Sequence, residues 1–365
     1  MITAVTINYF SHQLTVRAAL SVLADRPDAQ VIVVDNSECA DEATSLRELL
    51  PPQVDLIVTP ENIGFGRACN LGFAAARHDL ILLLNPDAIV LPGCLDALAG
   101  FLRQTPQAGA VAPLAWWDRE KTWLLPPGQL PTPVSELSMS LALRFPRWGA
   151  RVSMSFRKKA QACFRSRAAV RQRMLSGGHV LLRRSAVEKA GGPFDPALFM
   201  YYEDTDLCRR LDRAGFGLYL LPGAEVVHEW CCTQDKGHLS RVSHEYYFGK
   251  HFSGSPLLRV FKRLERSGLP LRLPEHHDLG LCRVPPRFPV AAGVQGEWLM
   301  EISPQPLFVP ALYHFGSGSE ACIPEEIWER LGPGRYWLRI GPPDGGDCSL
   351  FSWEIPANPS KSPLM

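Results

Sequence analysis

The sequence lacks any apolar run approaching the roughly 18–20 residues that cross a bilayer as a helix. The buried-looking run Leu80–Leu84 stops at Asn85-Pro86-Asp87. The chain also lacks an excess of charge of either sign, with 38 Lys and Arg against 37 Asp and Glu. That excludes a whole-chain electrostatic grip on nucleic acid, and no nucleic-acid partner is expected. There are 10 cysteines but no C-x-x-C pair, which excludes zinc-ribbon and thioredoxin-like readings. Cys69, Cys94 and Cys208 fall in apolar stretches, where a thiol acts as a small hydrophobe. A reduced, cytoplasmic setting is the expectation. The adjacent Cys231 and Cys232 find no further ligands at recognisable spacing. The opening MITAVTINYF lacks a basic segment and reads as a first strand, not a signal peptide. Internal repeats and low-complexity tracts are missing too.

What is present is globular: 365 residues, 46% hydrophobic and 21% charged, enough for two or three domains. Short β-branched runs at 3–8, 30–35 and 54–58 alternate with helical spacing at 14–23 and 65–77, and Leu80–Leu84 follows as a further strand. This alternation predicts βαβ units and a mostly parallel sheet. The unbroken apolar character of VIVV and LILLL suits strands covered on both faces. Such sheets bind ligands beyond the carboxyl ends of their strands. Three of those ends carry polar groups: Asn8, Asp35-Asn36-Ser37 and Asn85-Pro86-Asp87.

The middle of the chain changes character. After a proline-rich opening, residues 144–173 carry Arg144, Arg147, Arg151, Arg157, Lys158, Lys159, Arg165, Arg167, Arg171 and Arg173, interleaved with apolar residues. A basic amphipathic stretch can lie on an anionic membrane or meet an anionic substrate; its plainer reading is a solvated face covering the core. Regular patterning resumes at 176–230, with a strand in SGGHVLLRR, a helix in EDTDLCRRLDRAGF, and short strands at 218–221 and 225–227. The expected organisation is a domain over 1–235 with a basic insertion at about 135–173, a helical connector over 236–279, and a small β-rich module over 280–365.

Four constellations carry chemistry. Asn62-Ile-Gly64-Phe-Gly66-Arg67-Ala-Cys-Asn70-Leu-Gly72 opens a helix after a strand. Its glycine spacing is not G-x-G-x-x-G, so a dinucleotide fold is rejected, but its backbone can approach a ligand and Arg67 can reach a phosphate. Asp87 is a short carboxylate on a stiff turn, suited to a hard divalent cation or simply to the turn. Glu203, Asp204 and Asp206 place three carboxylates within four residues, after Phe199, Tyr201 and Tyr202. On a helix Glu203 and Asp206 share a face and Asp204 points elsewhere. Aromatic neighbours can desolvate a carboxylate and raise its pKa, as a general base needs; the plainer reading is an acidic turn complementing the helix dipole. His228, at a strand end, is either structural or a partner for a distant aspartate at a cation.

Taken in order, VTINYFS, VIVVDNS, PENIGFGRACNLGF, LILLLNPDA, SGGHVLLRR, GGPFDPALFMYYEDTDLCRRLDRAGF and VVHEW resemble the GT-A glycosyltransferases of family 2, most closely the rhamnosyltransferase-like group. The resemblance covers roughly residues 2–230. It implies a GT-A fold: a Rossmann-like, mostly parallel mixed sheet with flanking helices, here followed by the small β module. It also implies an inverting, metal-dependent transfer of a sugar from a nucleotide-sugar to a hydroxyl of a glycan or lipid-linked acceptor. The best-matched donor is dTDP-rhamnose. Asn8, Asp35, Asn36, Asn62, Gly64, Arg67, Asn70, Asn85 and Asp87 would meet the nucleotide-sugar. Asn85 replaces the first aspartate of the family's D-x-D pattern, leaving Asp87 and His228 as ligands for Mg²⁺ or Mn²⁺. Asp204 resembles the general base, with Glu203 or Asp206 as alternatives. Gly177, Gly178, His179, Tyr201 and Tyr202 would border the acceptor. The basic segment 144–173 would then contact an anionic acceptor or the inner membrane face. The competing readings are a nucleotidyltransferase, or a non-catalytic sugar-nucleotide or glycan-binding protein on the same fold.

Overall fold

The computed structural model describes residues 1–230, 237–291, 293–294 and 296–357. Cys231 and Cys232 lie outside the described residues.

The first half is the expected set of βαβ units. Strands β1 (Ile2–Asn8), β2 (Gln30–Asp35), β3 (Val54–Val58) and β4 (Leu80–Leu84) are parallel, in the order β4-β1-β2-β3. Helices α1 (His12–Asp25), α2 (Ala40–Leu49) and α3 (Phe65–Ala75) connect them. Residues alternate between two cores, one on each sheet face. Ala4, Val31, Val33, Leu80 and Leu82 enter one. Val5, Ile32, Val34, Ile81 and Leu83 enter the other. That two-sided burial is why these strands read as continuous apolar runs.

The second half adds β5 (Ala88–Val90), α4 (Cys94–Gln104), β6 (Ala108–Trp116), β7 (Trp123–Leu124), α5 (Pro133–Ala142), α6 (Pro146–Phe164) and β8 (Val170–Gln172). It continues with β9 (His179–Arg183), α7 (Arg184–Lys189), α8 (Glu203–Arg213) and β10 (Gly217–His228). Strand β9 inserts antiparallel between β4 and β6, and makes the sheet mixed. The stretches at 218–221 and 225–227, expected as separate strands, form the single strand β10. A register shift between Leu221 and Glu225 at Pro222-Gly223-Ala224 interrupts its pairing with β6 without ending it.

Helices α9 (Gly237–Phe252) and α10 (Pro256–Arg266) follow. The remainder is β-rich: β11 (His277–Leu281), β12 (Arg287–Pro289), β13 (Glu297–Ser303), β14 (Leu312–Ser317), β15 (Glu320–Cys322), α11 (Glu325–Arg330), β16 (Gly334–Gly341) and β17 (Ser349–Ile355). Apart from β12 and β15, which pair with each other as a separate two-stranded sheet, these strands belong to the main sheet. The two-residue β7 pairs with β6 on one side and β14 on the other, so the main sheet runs on into the C-terminal strands. One core cluster joins Leu114, Phe156 and Ala160 to Leu299, Tyr313 and Trp337.

The basic insertion supplies much of that joint, so part of its charge is buried and not free for a membrane or an anionic substrate. Arg157 on α6 is fully buried. It donates to the Pro342 carbonyl at 2.9 Å and lies 3.4 Å from Glu301. Glu301 also accepts two 2.6 Å bonds from Arg339, whose third nitrogen reaches Ser153 at 2.7 Å. A buried carboxylate shared by two guanidiniums is tolerated because almost every donor finds an acceptor. Arg144 is likewise buried, bonded to Ser140 at 2.9 Å and paired with Glu265 at 3.1 Å. Sequence pattern cannot show this, because the partners lie far along the chain.

Candidate active site

The polar strand ends expected from the sequence converge at one edge of the sheet. At the end of β1, the Asn8 amide donates to Asp35 at 2.9 Å, Ser37 at 3.0 Å and Glu42 at 3.0 Å. Asn8 and Asp35 are both fully buried, and one oxygen of Asp35 has no hydrogen-bond partner among the described residues. Next along the edge, Asn36 donates to Asn62 at 2.9 Å and accepts from the Ile63 amide at 3.0 Å. Asn62 also accepts from the Gly64 amide at 3.0 Å. The turn between β3 and α3 is thereby locked to the end of β2. Beside Asn8, Tyr9 and Phe10 are 52% and 44% exposed, and Phe10 has a φ of +49°. Exposed aromatics on a rigid strand end offer a flat face to a ring; the sequence reading did not single them out.

The glycines of the α3 turn serve a close approach. Gly64 has φ +86°, and a Cβ there would stand 2.5 Å from the Phe199 carbonyl. Phe199 in turn accepts from the Phe65 amide at 2.9 Å. Only a residue without a side chain lets the two loops touch here. Arg67 and Asn70 make loop contacts that the sequence did not suggest. The Nε of Arg67 donates to the Pro196 carbonyl at 2.8 Å. Asn70 exchanges bonds of 2.8 and 2.9 Å with the backbone of Phe194. Both clamp the 194–199 loop onto α3, where they hold the carboxylate segment in place.

That segment is conformationally strained. Tyr201 and Tyr202 have φ of +68° and +67° immediately before α8. Two bulky residues in the left-handed region are costly, and such strain clusters at functional sites. Tyr202 packs against His244 and Tyr247 of α9. Burial pushes its phenol up to about 12.

The three carboxylates of α8 separate sharply. Asp206 is fully buried and bonded at 2.7 Å to each of Arg210, Lys250 and His251. These partners hold its pKa below the usual range against the desolvation that raises it. Asp206 ties α8 to α9, and its surroundings suit that role, not proton transfer. Glu203 is buried against α3, and one of its oxygens has no hydrogen-bond partner among the described residues. Desolvation, and then the neighbouring Asp204, push it above the usual carboxylate range. Asp204 is only partly buried. It accepts from the Gly177 amide at 3.0 Å and the Thr205 amide at 2.6 Å. Its pKa is also raised by desolvation, in spite of those bonds. Oδ1 also accepts from the Thr205 hydroxyl at 3.3 Å, so Oδ2, on the Gly177 side, is the oxygen with a lone pair left for a proton.

Gly177-Gly178 connects this carboxylate to the other half of the site. A Cβ on Gly178 would lie 2.7 Å from the Asn85 amide nitrogen and 3.0 Å from His228 Cε1. The Gly178 carbonyl accepts from the Asn85 amide at 2.8 Å. Strand pairing then aligns the rest. His179 lies opposite Leu84, and His228 lies opposite Ala88. Asp87 therefore sits between them, with Oδ1 3.1 Å from His228 Nε2. His179 does not border an open acceptor face. It is buried behind His228, with the two Nδ1 atoms 3.1 Å apart, and desolvation lowers its pKa to about 3.

These residues fit a divalent cation as a pair. The Asp87–His228 contact is close, yet His228 Nε2 makes no well-aimed hydrogen bond among the described residues. Adjacent donors of an octahedral ion at ~2.1 Å stand about 3 Å apart, which is the observed separation. No group of three or more His, Cys, Asp or Glu side chains assembles among the described residues, so further donors would come from substrate or water.

A half-sheet of parallel strands thus ends in polar loops, and beside it a carboxylate–histidine pair lies across a glycine dipeptide from a carboxylate of raised pKa. Comparison with known proteins gives the family. Residues 1–244 match the profile of the glycosyltransferase like family 2, and the chain belongs to that family. It is 32% identical over 238 residues to an N-acetylglucosaminyl-diphospho-decaprenol L-rhamnosyltransferase of Mycobacterium tuberculosis, covering 62% of this chain and 75% of that one. It is 38% identical over 112 residues to the succinoglycan biosynthesis protein ExoO of Rhizobium meliloti, covering 30% of this chain and 31% of that one. A solved structure with similarity is the mannosyltransferase PcManGT of Pyrobaculum calidifontis in complex with GDP-Man and Mn²⁺. It has a TM-score of 0.44 and 16% identity, and the match covers 72% of this chain and 68% of that one.

Proposed function

We propose that this glycosyltransferase inverts the anomeric centre of a nucleotide-sugar, best matched to dTDP-L-rhamnose, as it transfers the sugar to a hydroxyl of a lipid-linked glycan. The observation that carries the reading is Asp204. It is a half-buried carboxylate with a raised pKa, held by two backbone amides and joined through Gly177-Gly178 to Asp87 and His228. The rhamnosyl donor and the lipid-diphosphate acceptor are supported by the name of the mycobacterial relative.

In this reading Asn8, Asp35, Asn36 and Asn62 shape the nucleoside end, with Tyr9 or Phe10 available to stack on the base. Asp87 and His228 would hold Mg²⁺ or Mn²⁺, which when bound neutralises charge on the departing diphosphate. Asp204 accepts the proton of the acceptor hydroxyl. The acceptor oxygen forms a bond to the anomeric carbon from the face opposite the diphosphate as the carbon–oxygen bond to phosphate breaks. The electron pair leaves with the nucleoside diphosphate. One displacement inverts the centre, and no covalent nucleophile on the protein takes part. Tyr201, Tyr202, Gly177 and Gly178 border the acceptor side. Among the described residues no helix is long and apolar enough to cross a membrane, so a lipid-linked acceptor would be met from the surface.

The test is turnover. The protein, Mn²⁺ and a diphosphate-linked N-acetylglucosaminyl lipid should release dTDP from dTDP-rhamnose and add one deoxyhexose to the lipid. UDP-glucose and GDP-mannose serve as competing donors. Asp204→Asn should retain donor binding while losing at least about 100-fold in kcat. An Asp204→Asn variant as active as the parent would exclude this base. Donor binding without transfer to any acceptor would favour the binding-protein reading.

A further inference from the structure

A second concavity opens between α5, α6 and the ends of α8 and α9, with a volume of about 860 Å³. Among the described residues its lining holds Arg151, Lys159, Arg173 and Arg209 and no carboxylate. None of these cations forms an ion pair within 4 Å with a carboxylate of the described residues, whereas Arg144, Arg157 and Arg165 of the same insertion do. Burial lowers the pKa of Lys159 and Arg209, and Arg173 adds to both shifts by repulsion. Concentrating unpaired positive charge has a cost that an anionic ligand would relieve.

The rest of the lining is mixed: glutamine, threonine and serine side chains alternate with a larger apolar share. Val134 and Trp148 line it while remaining 63% and 41% exposed. At the rim Leu257 begins α10, a helix with no buried residue. Arg259, Lys262, Arg263 and Arg266 of α10 are exposed, and Val260 is 48% exposed. A basic helix that also presents apolar side chains suits the surface of an anionic membrane. The groove is near the chemistry. Arg209 follows Asp204 by five residues of α8, about 7.5 Å along the axis. Arg173 precedes Gly177, the residue bonded to Asp204, by four residues, at most about 14 Å of chain. A sugar ring joined to a diphosphate spans a comparable length.

We infer that this groove binds the diphosphate and the first hydrocarbon units of a membrane-borne lipid-diphosphate acceptor, placing the sugar's hydroxyl at Asp204. The inference rests on the proposed transferase reading and adds the acceptor's binding site to it. Arg151, Lys159, Arg173 and Arg209 meet the phosphates, Val134 and Trp148 meet the chain, and α10 faces the bilayer from which the lipid comes. Arg144 and Arg157, already buried in ion pairs, take no part.

Calorimetric titration of the full chain with farnesyl diphosphate tests it, with inorganic pyrophosphate, farnesol and phosphatidylglycerol vesicles as separate arms. Farnesyl diphosphate should bind more tightly than pyrophosphate or farnesol. The doubly charge-reversed variant Arg151→Glu, Lys159→Glu should bind it at least about tenfold more weakly. Both side chains keep part of their surface in solvent, and thermal stabilisation by dTDP with Mn²⁺ should be the same in variant and parent. Equal farnesyl diphosphate affinity in the two proteins would overturn the inference. So would binding to vesicles with none to farnesyl diphosphate, which would leave a plain membrane contact. A lost dTDP response in the parent would instead count against the transferase reading, independently of the groove.

Discussion

Asp204 and Glu203 are adjacent carboxyls whose surroundings divide the work. Glu203 is sealed beneath α3, while Asp204 stays partly accessible beside Gly177. A general base acts only when ionised. Desolvation raises Asp204, so the acid limb of kcat/KM should fall above the ordinary aspartate value of about 3.9. A pH–rate profile with its acid limb at or below about 4 would show that this carboxyl is not the group titrating in the reaction. His179 illustrates a second kind of residue effect. Its Nδ1 faces His228 Nδ1, so one of the two must donate and the other accept. If His228 carries its proton there, Nε2 keeps a lone pair toward Asp87. Such outer partners commonly change metal affinity by about 10–100-fold. His179→Ala should therefore weaken Mn²⁺ binding by about that factor, read by electron paramagnetic resonance of the free ion. Unchanged Mn²⁺ affinity would limit His179 to packing.

At the scale of elements, α8 is held by one buried carboxylate. Asp206 joins Arg210 of its own helix to Lys250 and His251 of α9. Its pKa is lowered in the fold, so its contribution is present above about pH 4 and fades as pH falls through the lowered folded value. Asp206→Ala should cost roughly 2–3 kcal/mol at neutral pH, less than a fully sealed pair because Lys250 is partly exposed. The deficit should shrink under acid, as urea denaturation at several pH values would show. A deficit independent of pH would assign the loss to packing alone. Elements were also where the sequence was most and least readable. The strands β1, β2 and β4 and the helix after Tyr202 follow from apolar runs and an acidic start. The roles of Arg67 and Asn70 do not, because their partners Pro196 and Phe194 lie more than 120 residues away. Glycine and arginine at a helix start look alike whether they cradle a phosphate or receive a loop. The pairing of Asp87 with His228 was legible only through resemblance, since it depends on β9 and β10 aligning 84–88 from both sides.

For the whole molecule, the short β7 matters more than its length suggests. It carries the catalytic half-sheet into the C-terminal strands, and the shared core around Phe156, Tyr313 and Trp337 cements the joint. Two residues of strand leave no periodic signal, so the continuity of the sheet into the β-rich segment is not readable from the sequence pattern. A chain ending at residue 279 would expose that core and strip Arg157 of Glu301 and Pro342. Such a fragment should aggregate or unfold without a cooperative transition. Cooperative unfolding of a soluble fragment would establish the catalytic part as independent. Arg151, Lys159 and Arg173 of the insertion line one groove together with Leu257 of α10.

The most direct measurement is thermal stabilisation by dTDP, UDP and GDP, each with Mn²⁺ and again with EDTA, in the parent and in Asp87→Ala. A ligand present at 100 times its Kd stabilises the native state by about 2.7 kcal/mol. The account predicts a large shift with dTDP that needs Mn²⁺ and disappears in Asp87→Ala. A nucleotide response unaffected by EDTA and by Asp87→Ala, or no response to any nucleotide, would contradict it.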